Sequence, residues 1–155
     1  VVPERCIATL DRRLLVGDTP ESVLKPIQEH IDRLAAADPD FKAKVYLRSE
    51  TKTCYTGNEI YAERFFPGWY FDRNSDFVQK SFAALQTLGR NPVITTYSFC
   101  TNGSHYAGEK GIKTLGFGPS LESLAHTVDE YVLIDQLNGS ADGYMKLIDA
   151  LLHVE

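Results

Sequence analysis

Residues 112–132 read Ile112-Lys113-Thr114-Leu115-Gly116-Phe117-Gly118-Pro119-Ser120-Leu121-Glu122-Ser123-Leu124-Ala125-His126-Thr127-Val128-Asp129-Glu130-Tyr131-Val132. The apolar run from Ile112 to Phe117 has the length of a buried strand. It breaks at Gly118-Pro119, because these two residue types punctuate regular structure. The loop that follows carries one histidine, His126, among small and hydroxyl side chains, then the carboxylates of Asp129 and Glu130. A histidine just past the C-terminal end of a buried strand lies where open α/β sheets place their ligands. The same residue type also serves as an ordinary surface hydrogen-bonding group. The stretch therefore predicts an α/β fold, with His126 as its first candidate site residue.

The flanking segments fit that reading. Asn74-Ser75-Asp76 caps a helix predicted to run to Leu88 and to stop at Gly89, with Phe77, Val78, Phe82, Leu85 and Leu88 on its apolar face. Pro92 to Phe99 reads as a further strand. Thr101-Asn102-Gly103-Ser104 follows it, a loop-to-helix junction of the kind that presents backbone N–H groups to an anion. Ile134 to Val154 repeats Ile134, Leu137, Tyr144, Leu147, Ile148, Leu151 and Leu152 at helical spacing, which predicts a core-packing helix with Asn138-Gly139 as its weak spot. His153 falls at its exposed end and receives no site role.

The first half reads as strand, helix, strand. Arg5 to Leu15 alternates as a strand does. Gly17-Asp18-Thr19-Pro20-Glu21 opens a helix, with Asp18 or Thr19 as cap and Pro20 at the first turn. Val23, Leu24, Ile27, Ile31 and Leu34 mark its apolar face, Pro26 is awkward inside it, and Asp38-Pro39 ends it. Phe41 to Tyr55 alternates Phe41, Ala43, Val45 and Leu47 against Lys42, Lys44, Tyr46 and Arg48, a strand with one wet face. A two-layer α/β module follows, the helix covering one sheet face. The aromatic stretch Tyr61–Phe71 reads either as a packed crossover or as a pocket wall. Its composition places the domain boundary after residue 62, giving domains 1–62 and 63–155.

With 155 residues, 43% hydrophobic and 24% charged, the chain is long enough for one buried domain or two small ones and too apolar for disorder. A net charge of −5 disfavours nucleic acid and anionic membranes as partners. No apolar run approaches a membrane span, and there is no signal-peptide pattern. Cys6, Cys54 and Cys100 are odd in number and unpaired in spacing, which predicts buried free thiols in a reducing, cytoplasmic setting. Cys100 has no activating base near it in sequence.

The order strand, Gly-x-Gly-Pro, spacer, Ala125-His126-Thr127, two residues, Glu130-Tyr131-Val132 resembles the final metal-ligand segment of a zinc hydrolase family. Its members include acetylornithine deacetylase, succinyl-diaminopimelate desuccinylase and carboxypeptidase G. The resemblance implies amide-bond hydrolysis with two zinc ions, His126 as a zinc ligand and Glu130 in the turn behind it. It extends over most of the chain. Residues 1–62 resemble the later half of the family's lid domain, which often makes the dimer, and the rest resembles the closing segment of the catalytic domain. Pro3, Asp11-Arg12-Arg13 and Thr19-Pro20-Glu21 match the lid. The resemblance makes Arg13 the anchor for a substrate carboxylate, a role suited to its planar fork. Read from the residues alone, Arg13 pairs with Asp11 or Glu21. Thr101-Asn102-Gly103 stands where many members carry an aspartate, so Asn102 keeps an acceptor and loses the charge. Asn102, Gly103 and Gly118 complete the substrate-binding set. Phe66-Pro67-x-Trp69 and the Ser98–Gly103 stretch are similar to a branch linked to selenium metabolism.

The chain has no His-x-Asp strand motif and no Glu-Glu pair, so the remaining ligands of a bridged two-metal site are absent. The general base and the lid's oxyanion histidine, which the resemblance would lead one to seek, are absent too. The start at Val1-Val2-Pro3 reads as an excised piece. The expectation is a C-terminal portion of a metal-dependent amidohydrolase, inactive and without tight zinc on its own, whose partner is the missing N-terminal half. A homodimer or strand-exchanged oligomer is expected, with Leu115, Phe117 and residues 65–71 near the contacts. The competing reading is a non-catalytic dimerisation or binding module, since an open sheet edge seeks a partner.

Overall fold

A computed structural model describes residues 3–152. The chain is mixed α/β, with three α-helices and a small antiparallel sheet of two strands among the described residues. It divides into two compact units, Val1–Trp69 and Tyr70–Glu155. The stretch 63–69 separates this division from the boundary expected after residue 62.

In the first unit α1 spans Pro20–Ala37. Its start is fixed by a reciprocal cap. The Thr19 hydroxyl accepts from the Ser22 N–H at 3.1 Å, and the Ser22 hydroxyl accepts from the Thr19 N–H at 2.9 Å. Pro20 occupies the first turn, where its missing N–H costs nothing. Pro26 lies inside the helix and has no N–H to offer the Ser22 carbonyl. Asp38 closes the end with its N–H on the Leu34 carbonyl. Val23 is the buried residue of the helix.

The strands β1 (Ser49–Thr53) and β2 (Glu59–Glu63) pair antiparallel, from Ser49 opposite Glu63 to Thr53 opposite Glu59. The connecting turn is closed by the Cys54 N–H on the Asn58 carbonyl at 2.8 Å, with Gly57 at φ 85°. That left-handed conformation suits glycine. Glu50 on β1 accepts from Arg64 and pairs with Lys52 at 3.2 Å. The Arg64 hydrogen bond first, then the one from Lys52, holds the Glu50 carboxyl below its ordinary range.

Here the structure corrects the sequence. The alternation at 41–47 survives as burial, with Phe41, Val45 and Leu47 half-buried and Lys42, Lys44 and Tyr46 exposed, yet the ladder holds only Ser49–Thr53 of this stretch. Residues 5–15 are irregular, as are 92–99 and 112–117. An alternating segment becomes a strand only when a neighbour takes its N–H and C=O groups. Among the described residues these three segments have no ladder partner, so strand–helix–strand becomes helix followed by hairpin. Residues 5–16 meet Gly68 through an isolated bridge at Val16 and meet Asp18 through Leu15 and Arg12.

In the second unit α2 spans Asp76–Gln86 behind Ser75, ending short of the expected Leu88 with Thr87 as its cap, and Gly89 takes φ 68° in the turn that follows. The last helix, α3, spans Ile134–Leu152. The two pack together. On α3 the buried residues are Gly139, Ser140, Gly143 and Leu147. Their spacing of about one turn lays the buried positions along one face: the Phe117 ring and Leu85 of α2 lie over Gly143, and Arg90, just past α2, lies over Gly139. The expected apolar face is corrected in part: Leu147 is buried and Leu151 half-buried as expected, but Ile134 is 75% exposed and Ile148 56%. Leu137 and Leu152 are exposed as well, and His153 lies outside the described residues. The Phe117 ring lies on Gly143 and meets Tyr144 edge-on at 5.3 Å, while the Tyr144 hydroxyl donates to the Phe117 carbonyl.

No helix among the described residues is long and apolar enough to cross a membrane. Cys6 and Cys100 are exposed and Cys54 half-buried, all free thiols, in place of the buried thiols expected. They sit on segments that lack a covering layer among the described residues.

Candidate functional site

The His126 loop is a closed structure. Its ends are joined where the Ser120 hydroxyl donates to the Tyr131 carbonyl at 3.2 Å. Compact surface loops whose ends meet in this way often carry function. A short helical turn, Glu122–Leu124, forms its first half. The Thr127 hydroxyl donates to the Leu124 carbonyl at 2.8 Å, and the His126 N–H donates to the Glu130 carboxylate at 2.9 Å. Glu130, placed by the sequence in the turn behind His126, thus holds the backbone of that residue in position.

The loop is also strained. Ser120, His126 and Asp129 take φ values of 76°, 61° and 60°, and no other described non-glycine residue has positive φ. Each such residue costs on the order of 1 kcal/mol, and such residues cluster at functional sites. The His126 side chain is exposed, at the tip of the loop. It is not sunk in an apolar interior, and its ring makes no hydrogen bond or ion pair with the described residues.

Two residues that the sequence did not single out anchor this loop. The Ser98 hydroxyl donates to the Glu122 carboxylate, tying the base of the loop to the segment that leads into Thr101-Asn102-Gly103. The neighbouring Tyr97 ring covers Gly116, where a Cβ would lie 2.1 Å from Cε2. Burial first, then the charges of Tyr144 and Glu122, raises the Tyr97 phenol above its ordinary pKa. Nothing in the local sequence around Glu122 marks it; its partner lies 24 residues earlier.

Asn102 is exposed, and its carbonyl accepts from the His105 and Tyr106 N–H groups at 3.0 and 3.2 Å. Gly103 is buried and donates its N–H to the Thr101 hydroxyl at 3.1 Å. That donor is therefore engaged within the chain, which weakens the junction as an open anion cradle. A six-residue helical turn of the wide, π type, Ser104–Glu109, follows, with His105 on Glu109 at 2.7 Å. Gly118 lines a cavity of about 220 Å³ between the end of α2, the Gly118 loop and α3.

Arg13 belongs to the first unit. It is exposed, and among the described residues it has no ion pair. The expected pairing with Asp11 or Glu21 is not made; its neighbour Arg12 instead reaches Asp18 at 3.9 Å. The structure thus brings Gly118, His126 and Glu130 into one loop region and ties it to the Asn102 segment.

Among the described residues no group of three or more His, Cys, Asp or Glu side chains could hold a metal ion. His126 supplies one imidazole, and the Glu130 carboxylate beside it is engaged by backbone. One donor does not make a zinc site, which needs four ligands in tetrahedral geometry.

No family model matches the chain, and no solved structure matches it. Curated relatives do. Over 130 residues, 83% of this chain, it is 32% identical to the uncharacterized protein YgeY of Escherichia coli (strain K12), and to the same degree to that of Escherichia coli O157:H7. Over 120 residues, 76% of the chain, it is 29% identical to N-formyl-4-amino-5-aminomethyl-2-methylpyrimidine deformylase of Halalkalibacterium halodurans. A deformylase removes a formyl group from nitrogen, a hydrolysis of an amide bond. The chain spans 31% of the length of the two YgeY proteins and 27% of that of the deformylase.

Proposed function

We propose that this chain is part of a metal-dependent amidohydrolase that cleaves an N-acyl, N-formyl or peptide bond beside a carboxylate. The observation that carries the reading is the His126 loop. Its closure by Ser120, its left-handed backbone at His126 and its anchors at Glu122 and Glu130 hold one surface imidazole in place at local cost. The distant deformylase relative supports amide hydrolysis as the reaction class.

In this reading His126 is one donor to a divalent cation, zinc by the resemblance. The other donors and the general base lie outside the described residues, in regions corresponding to the rest of the relatives' length. Glu130 keeps the imidazole presented. In the first unit Arg13, an exposed guanidinium with no ion pair among the described residues, offers a fork for a substrate carboxylate by the resemblance; in the second unit the resemblance gives Asn102, Gly103 and Gly118 to the substrate. The alternative reading, a pairing module, draws on the hairpin. Both edges of its two-stranded sheet are open among the described residues, and an open edge can add a strand from a second copy.

The test compares the 155-residue chain with a chimera in which it replaces the matching region of the deformylase relative. Metal content and hydrolysis of a panel of N-formyl and N-acyl compounds are measured for both. The expected result is metal-dependent hydrolysis by the chimera alone, lost in His126→Ala, with a raised KM in Arg13→Lys. Tight stoichiometric zinc and hydrolysis by the 155-residue chain would refute the division of the ligand set. Undiminished hydrolysis by the His126→Ala chimera would remove that residue from the site.

A further inference from the structure

We infer that the cavity between the end of α2, the Gly118 loop and α3 is a binding site for a small oxyanion, a carboxylate or a phosphate, with Arg90 as its cation. This inference does not depend on the hydrolase reading. The cavity of about 220 Å³ lies wholly within the second unit, and Arg90, Asn91, Ser120, Gln136 and Ser140 contribute its polar lining. At ~30 Å³ per water that is room for about seven waters, below the range of pockets that take larger ligands. No aspartate or glutamate lines it. In a chain of net charge −5 this makes it a local positive enclave.

The guanidinium of Arg90 lies against Gly139 of α3. A Cβ at that position would fall 2.1 Å from Nη2 and 2.4 Å from Cζ. A glycine is therefore what lets the cation reach the cavity. Among the described residues Arg90 has no carboxylate partner. Ser140, only 6% exposed as a residue, lines the cavity, and its hydroxyl makes no hydrogen bond among the described residues. An oxyanion on Arg90 would take the guanidinium in its preferred bidentate geometry. The side-chain amides of Asn91 and Gln136, likewise unengaged, supply further N–H donors. Sequence reading passed over this site because Gly89-Arg90-Asn91-Pro92 looks like an ordinary helix stop.

The experiment titrates the protein with inorganic phosphate and, separately, with acetate, following backbone amide shifts by NMR. Saturable shifts at Arg90, Gly139 and Ser140 are expected. A tighter phosphate arm identifies the ligand class as phosphate, and a tighter acetate arm identifies it as carboxylate. Arg90→Ala should weaken binding roughly tenfold or more, as expected for loss of a charge-assisted pair. Arg90→Lys, which keeps the charge and loses the fork, should weaken it by about three- to tenfold. Gly139→Ala is the independent control. It leaves every polar lining group in place and favours helix, yet its methyl displaces the guanidinium, so binding should fall while α3 stays folded. The inference is overturned if neither anion shifts these amides at millimolar concentration, or if folded Arg90→Lys and Gly139→Ala both bind as wild type does.

Discussion

Replacing Gly143 by alanine sets two opposed effects of known size against each other. Alanine is better than glycine inside a helix by about 1 kcal/mol. The new Cβ, however, would lie 2.5 Å from Cζ and 2.6 Å from Cε1 of Phe117, and 3.3 Å from Cδ2 of Leu85. The Phe117 ring is not free to retreat. It meets Tyr144 edge-on, and Tyr144 holds the Phe117 carbonyl. Moving the ring sacrifices the aromatic contact, about 1 kcal/mol, and strains the hydrogen bond, about 1 kcal/mol more. That total of about 2 kcal/mol lies within the 1–3 kcal/mol range typical of overpacking. The net expectation is a loss of about 1 kcal/mol. Gly139→Ala on the same helix face meets only the flexible end of Arg90, so there the helix gain of about 1 kcal/mol stands. The two variants should therefore differ by about 2 kcal/mol, more than a tenfold ratio in the opening equilibrium. Native-state hydrogen exchange of the α3 amides reads this directly and ignores the first unit. Protection in Gly143→Ala equal to that in Gly139→Ala would refute the claim that Phe117 is pinned.

Thr19→Ala removes half of the reciprocal cap on α1 and should cost about 1 kcal/mol, seen as faster exchange across the first turn of α1 with α3 unaffected. The Tyr97 phenol is raised in the folded chain, so folding disfavours its ionisation. Its contribution is complete below the ordinary tyrosine value of about 10 and is lost as pH rises past that point. Tyr97→Phe should therefore flatten the alkaline fall in stability measured by urea unfolding at stepped pH. Asp129→Gly relieves a left-handed backbone and should be neutral or stabilising by up to about 1 kcal/mol; a loss of stability by thermal melting would show that the Asp129 side chain holds the loop.

The helices were legible because their signals are local. Thr19, Pro20 and Ser22 sit within one turn of each other, and Gly89 needs only its own φ to turn the chain after α2. The strands were less so. Alternation at 5–15 and 92–99 states a preference for extended backbone, but a ladder depends on a neighbour that alternation does not name. The face of α3 was read in part. Leu147 is buried as expected, but Leu137 and Ile148 are exposed, and the close contacts run along Gly139 and Gly143, which meet Arg90, Phe117 and Leu85. Within the candidate site, the loop position of His126 was readable from Gly118-Pro119. Its anchoring by Ser98 and Glu122 joins residues distant in sequence and could not be.

Gly68 gives the first unit a hinge-pin with no tolerance. A Cβ there would come within 2.7 Å of the Leu15 carbonyl carbon and 2.9 Å of the Val16 nitrogen, backbone atoms that cannot swivel aside as a side chain can. Any larger residue at that position would lever the Val16 bridge apart and release the stretch on which Arg13 rides. Under the proposed role of Arg13, a substitution at Gly68 would thus loosen the grip on a substrate carboxylate from a distant point in the sequence.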